Sequence, residues 1–237
     1  MVRPTSTAAA SMTTANTADE IRGVMDALKL DVVASYFDQD DDEIDPYVVC
    51  EGVSVDAFND TADVFKYEFM AATGNRREVA SGGSMTANRD GNPNKEADAT
   101  FGPKRTTLNR TPAPAPRTVT NWVTLAVEVG RSQTWASLVE AAEWWCNYSG
   151  IQYILLLKIS PQGVQMRYAL YDIAVHGILP ASGTFRRRTR DQPAVDVSFD
   201  MRRILSIPPN AALPPGVSPT ARVDLRIVMN LVIDSLE

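Results

Sequence analysis

The sequence predicts a mixed α/β (α+β) domain, a central β-sheet with helices packed on it. Helical and strand periodicities alternate in the order helix, strand, strand, strand, helix, strand, strand. The chain is 44% apolar and 22% charged over 237 residues, ordinary values for a water-soluble chain that can bury one sizeable core. No apolar run approaches the roughly 20 residues that a membrane helix needs, and no internal repeat is visible.

The elements follow in order. The opening "MVRPTSTAAASMTTANT" lacks an apolar signal-peptide segment. Its Ser, Thr and Ala leave a transit peptide open, but residues 1–16 read best as a disordered tail. "TADEIRGVMDALKLDVVASYF" (17–37) starts with an N-cap-like Thr17 and carries Ile21, Val24, Met25 and Leu28 at helical spacing. "DQDDDEID" (38–45) reads as a solvated acidic loop, since it lacks the glycine and spacing of a calcium loop. "YVVCEGVSV" (47–55) reads as a strand. "DAFNDTADVFKYEFMAATG" (56–74) reads as a helix with Phe58, Ala62, Phe65, Phe69 and Ala72 on one side and Gly74 as its stop. An extended segment over 77–88 and turn residues at 89–94 lead to a short strand, 95–103. A stiff Pro/Ala connector (110–118) precedes a strand at 122–129, a helix at 134–148 and a strand at 151–159. A hairpin turn (160–165) enters a strand at 166–175, and the chain closes in "RVDLRIVMNLVIDSLE", a strand or short helix of mixed pattern.

Charge and rare residues narrow the chemistry. Residues 1–100 carry 8 basic and 19 acidic side chains, net −11; residues 101–237 carry 15 and 10, net +5. The overall charge of −6 therefore says little against a polyanionic partner, because a local basic face decides such binding. Two cysteines, Cys50 and Cys146, and one histidine, His176, argue against a disulfide framework, a thiolate zinc site and most Cys/His nucleophile arrangements. Cys146 lies on the apolar stripe of its helix and reads as a buried, reduced thiol, which fits an intracellular setting in the cytoplasm or nucleus.

The strand at 122–129 holds the one anomaly. Leu125, Val127 and Val129 share one face; Thr124, Ala126 and Glu128 share the other. A lone glutamate there is usually a sheet-edge residue or the partner of an arginine. Burying it unpaired costs several kcal/mol or raises its pKa until it is neutral. A cation, protein-borne or a metal, should therefore be near. Asp98, on the preceding strand and flanked by small residues, offers a second hard oxygen ligand. Two such ligands suit Mg²⁺ or Mn²⁺, completed by waters and a substrate phosphate. On the helix that follows, Leu138, Ala141, Ala142 and Trp145 lie at i, i+3, i+4, i+7 and should cover the sheet; Trp144 faces elsewhere. Lys158 ends the next strand on the face opposite Leu155, Leu157 and Ile159. It reads either as an exposed strand-end lysine or as a cation reaching toward the carboxylates.

"KEADATFGP", the Pro-rich gap, "WVTLAVEVGRSQTWASLVEAAEWWCNYSG" and "YILLLKIS" resemble the restriction-endonuclease-like PD-(D/E)xK superfamily, nearest to its fungal members. Glu-Val-Gly-x-Ser with the paired Trp is the most specific part. The resemblance covers about residues 55–175 and implies a single domain over 17–237, with a restriction-endonuclease-like core and a C-terminal extension, 176–237. It implies that Asp98 and Glu128 are catalytic metal ligands and that Glu68 on the preceding helix, with Asp63 as the alternative, adds a third carboxylate. Ala97 replaces the usual proline, and Gly130 stands where the pattern has lysine; Lys158 would supply a migrated catalytic amine, with Arg131 as a further cation. Arg186, Arg187, Arg188 and Arg190 lie outside the resemblance and read as a solvated loop or, with Arg131, as phosphate-neutralising contacts.

Two functions follow. The first is an Mg²⁺- or Mn²⁺-dependent nuclease, with DNA favoured over RNA; the second is a catalytically silent nuclease-fold module that binds nucleic acid or protein. A purely structural β protein is the third, and the helix bearing Trp144 and Trp145 counts against it. No membrane is expected as a partner, and a homo-oligomer is left open.

Overall fold

The computed structural model describes residues 56–130, 133–160, 164–175, 180–187 and 193–234, and residues 60–235 form one compact unit. The helix expected at 17–37, the acidic loop and the strand at 47–55 lie outside the described residues.

The first described helix, α1 (Asp56–Ala72), buries Ala62, Phe65 and Phe69 and ends before Gly74, whose φ of 75° is the left-handed turn that terminates helices. Strand β1 (Val79–Gly83) and the short pair β2 (Thr86–Ala87) and β3 (Lys95–Glu96) follow, and then β4 (Ala99–Pro103). The strand expected at 95–103 is therefore broken at residues 97 and 98. A 3-10 turn (Val119–Asn121) leads into β5 (Leu125–Gly130), helix α2 (Trp135–Cys146), β6 (Tyr153–Ile159) and β7 (Gln165–Asp172). Helix α2 starts where Thr134 caps it, its hydroxyl accepting the Ser137 N–H.

The C-terminal extension is more regular than the sequence suggested. Strand β8 (Ala181–Arg186) runs through the start of the arginine cluster, so Arg186 sits on a strand rather than in a solvated loop. Strand β9 (Asp196–Asp200), the single turn α3 (Met201–Ile204), β10 (Thr220–Asp224) and α4 (Leu225–Asp234) complete the unit; the closing segment is strand and then helix.

Six strands make the central mixed sheet in the order β1-β4-β5-β6-β7-β8. All neighbours are antiparallel except β5 and β6, which run parallel because α2 carries the chain back between them. Helix α2 lays Leu138, Ala142 and Trp145 on Ala126, Ile154, Leu156 and Ala169 of one sheet face. Phe101, on the other face, meets Phe69 at 4.7 Å between ring centroids, and Phe199 of β9 meets Phe69 at 5.3 Å and Tyr153 at 5.5 Å. The sheet is thus covered by α2 on one side and by α1 with the β9–β10 ribbon on the other. Helices flanking a central mixed sheet are what the sequence predicts.

Candidate active site

Strand β5 is interior to the sheet, between β4 and β6, and the layers packed on the sheet cover both of its faces. Alternation sends Ala126, Glu128 and Gly130 toward α2. Glu128 is only 5% exposed, and its Oε1 accepts the Trp145 indole N–H at 2.6 Å. Trp145 is the core residue its spacing predicts, and the hydrogen bond to Glu128 is the further use of its polar edge. Burial pushes the Glu128 pKa from 4.5 up to about 7; the indole and the positive charge of Lys95 pull it down, and the negative charge of Asp98 pushes it further up.

Asp98 occupies the break between β3 and β4. Its own N–H donates to the Val127 carbonyl at 3.1 Å, and its Oδ2 accepts the Val129 N–H at 2.6 Å. The residue therefore grips the β5 backbone on either side of Glu128, its side chain standing in for a ladder bond. Burial raises its pKa, while the Val129 N–H and Lys95 oppose the rise. The two carboxyls are close enough for their charges to interact, and Lys95 acts on both. Among the described residues no other residue donates a hydrogen bond to Oε2 of Glu128 or to Oδ1 of Asp98.

Lys158 is the cross-strand neighbour of Gly130 and shares the α2 side of the sheet with Glu128. Its ammonium donates to the Gln133 carbonyl in the segment entering α2. A side chain at Gly130 would crowd α2: its Cβ would stand 2.7 Å from Cδ1 of Leu138. Lys158, on the adjacent strand, places an amine on this part of the sheet.

The other expected residues divide. Glu68 lies on α1, which covers the opposite sheet face from Glu128, and among the described residues no three or more His, Cys, Asp or Glu gather into a metal-binding group. Helix packing through Phe65 and Phe69 fixes that placement. Asp63 pairs with Lys66 at 3.3 Å on the exposed side of α1. Arg186 is exposed on β8, and Arg187 is half-buried with its N–H donating to the Val164 carbonyl. Arg131, Arg188 and Arg190 lie outside the described residues. Cys146 is half-buried rather than buried, one position past the α2 stripe. Trp144 stacks on Tyr148 and donates its indole N–H to the Pro93 carbonyl at 3.0 Å, which ties the turn at 89–94 to α2.

Sequence reasoning passed over two residues. Lys95 sits three positions before Asp98 in "KEADAT", and the break in the strand brings its charge to both acids. Arg167 is the β7 neighbour of Lys158, and its guanidinium lies 3.9 Å over the Trp135 ring.

No family model matches this sequence, and no curated protein does. Among solved structures the fold is similar to one described as "a putative nuclease belonging to DUF820" from Anabaena variabilis ATCC 29413. That likeness has a TM-score of 0.42 at 9% identity, over 74% of this chain and 81% of that one.

The donor set fits a hard divalent ion. Two carboxyls with an oxygen each to spare match what Mg²⁺ takes from protein, since it keeps several waters and binds substrate phosphate directly. A bound dication would also stabilise the charged form of Glu128, which burial otherwise disfavours.

Proposed function

We propose that this chain is a divalent-metal-dependent nuclease of the PD-(D/E)xK type, in the fungal branch its motif resembles, hydrolysing phosphodiester bonds with DNA favoured over RNA. The observation that carries the reading is Asp98 gripping the β5 backbone on both sides of the buried Glu128, with Lys158 at the cross-strand position that Gly130 leaves open. Asp98 and Glu128 would hold Mg²⁺ or Mn²⁺. When bound, that ion supplies an acidified water and charge neutralisation at the phosphate. Glu128 is oriented for its part by Trp145, and Asp98 by the Val129 N–H. Lys158, on the same side of the sheet, holds the phosphate or positions the water, and Lys95 offsets the paired negative charge while the site is empty of substrate.

A second reading, a nuclease fold that binds without cutting, is favoured by the glycine at 130 and by the two-acid rather than three-acid set. Plasmid relaxation in Mg²⁺ or Mn²⁺, with Asp98→Ala and Glu128→Ala alongside, separates the two. The nuclease reading expects nicking by the wild-type chain that EDTA stops and that either substitution reduces at least about a hundredfold. Equal nicking by all three chains would sink it, as would no cleavage of any DNA or RNA substrate by a chain that nonetheless binds them.

A further inference from the structure

At the end of the sheet where β5 and β6 finish, a row of cations crosses three strands on the α2 side. Lys158 pairs in register with Arg167, and one step further along β7 Gln165 pairs with Arg186 of β8. Register and alternation together place Lys158, Arg167 and Arg186 on one face. Arg167 and Arg186 are both exposed.

Arg167 differs from an ordinary surface arginine in two respects. Its guanidinium carbon stands 3.9 Å over the centroid of the Trp135 ring, a cation–π contact that holds the side chain before any ligand arrives. The guanidinium also makes no hydrogen bond or ion pair among the described residues, and no acid is paired with it. Stacking uses the face of the guanidinium and leaves its in-plane N–H donors pointing outward, the geometry that forks onto two oxygens of one phosphate. An arginine fixed by an aromatic ring and left without an anion is one prepared for an anion.

We propose that Arg167, seated on Trp135, is a phosphate clamp that grips the nucleic-acid backbone beside the Asp98–Glu128 pair. The inference rests on the nuclease reading for its partner, yet it concerns binding alone. Lys158 and Arg186 extend the contact on either side, and the strand spacing of about 4.8 Å gives the row a span of about 10 Å. Trp135 positions the clamp without touching the backbone itself.

The test uses the full chain in EDTA, so that nothing is cut, with a fluorescein-labelled 20-mer DNA duplex and the matching single strand as probes, read by anisotropy across a salt series. Arg167→Gln should weaken binding roughly tenfold and flatten the slope of log K against log salt by about 1. Arg167→Lys keeps the charge and loses the fork and the stack; it should hold the salt slope and recover only part of the affinity. Trp135→Leu should weaken binding while Trp135→Phe, which keeps a ring beneath the guanidinium, should not. Arg222→Gln, on β10 at the opposite face of the sheet, should bind as the wild type does. If the wild type binds and Arg167→Gln, with an unchanged circular-dichroism spectrum, binds equally well, the clamp is wrong and the nuclease reading stands. A wild type that binds neither probe overturns both. Full recovery by Arg167→Lys removes the fork and leaves a point charge, which also overturns the clamp.

Discussion

At neutral pH the Glu128 carboxyl sits near its own midpoint, because burial lifts it to about 7 against the pull of the Trp145 indole and Lys95. In the unfolded chain the same group ionises near 4.5, so between those two values the folded state holds more protons than the unfolded one. Stability from this site is therefore greatest below pH 4.5, falls as pH rises through the window, and levels off above 7; integrated, the loss is at most about 3 kcal/mol. Glu128→Gln keeps an oxygen for the Trp145 N–H and has no charge to desolvate. Urea melts should find the two chains alike near pH 4 and the variant more stable at pH 8. Millimolar Mg²⁺ at pH 8 should then narrow that gap by stabilising only the wild type, as any ligand of the folded state does. Melts that coincide at pH 8 without the ion would show that Glu128 is not held at the cost its burial implies. The carboxylate in an apolar strand was legible from alternation alone, and so was the need for a cation nearby. That the protein's own cation is Lys95 was not legible, because it depends on a strand break at residues 97 and 98 where the Asp98 side chain replaces a backbone bond.

Helix α2 is the element that the sequence describes best, since its stripe of Leu138, Ala141, Ala142 and Trp145 is the buried set. Strand β8 is the one it describes worst. In "ASGTFR" only Phe185 is buried, so an edge strand with one core residue gives no alternation to read. The closeness of α2 to β5 makes a second prediction. At Gly130 a Cβ would press on Leu138, whose methyl end can rotate away at some cost to a fully buried side chain. At Gly102 a Cβ would run into the backbone carbonyl of Trp122, which has no such freedom. Gly130→Ala should therefore cost about 1–2 kcal/mol and Gly102→Ala more than that. Pairing Gly130→Ala with Leu138→Val should recover part of the loss, a non-additivity that chemical denaturation measures directly. Additive costs would mean that α2 shifts as a body rather than yielding at Leu138. Gly130→Lys, with a longer side chain starting from the same crowded Cβ, should cost more than Gly130→Ala.

Among the described residues, one arginine ties several elements of the unit together. Arg203 of α3 donates to Tyr153 Oη and to Asp172 at 2.8 Å each, to the Gln152 side chain and carbonyl at 3.2 Å, and lies 4.3 Å over the Tyr153 ring. It thereby ties the turn after β9 to the entrance of β6 and the end of β7, where the aromatic cluster of Phe199 and Tyr153 begins. Desolvation pushes Asp172 up, but the Arg203 hydrogen bond, the Ala174 N–H and the guanidinium charge outweigh it and hold the carboxyl below the usual aspartate range. A depressed folded-state pKa contributes stability that is present above the unfolded value and lost as pH falls through the folded one. Arg203→Leu removes five contacts at once and strands Asp172 beside a tyrosine, for an expected loss of about 2–4 kcal/mol at pH 7 and a melting temperature lower by roughly 5–15 °C. Because Asp172 becomes neutral in acid, the penalty for losing its partner should shrink below pH 4. Calorimetry of both chains at pH 7 and pH 3 measures this, and a penalty that stays constant would assign the role of Arg203 to packing on Tyr153 rather than to its charge. The loss should also be larger than that of Asp172→Asn, which leaves Arg203 its contacts to Tyr153 and Gln152. That ordering follows from the arginine, and not the aspartate, being the group on which both layers converge.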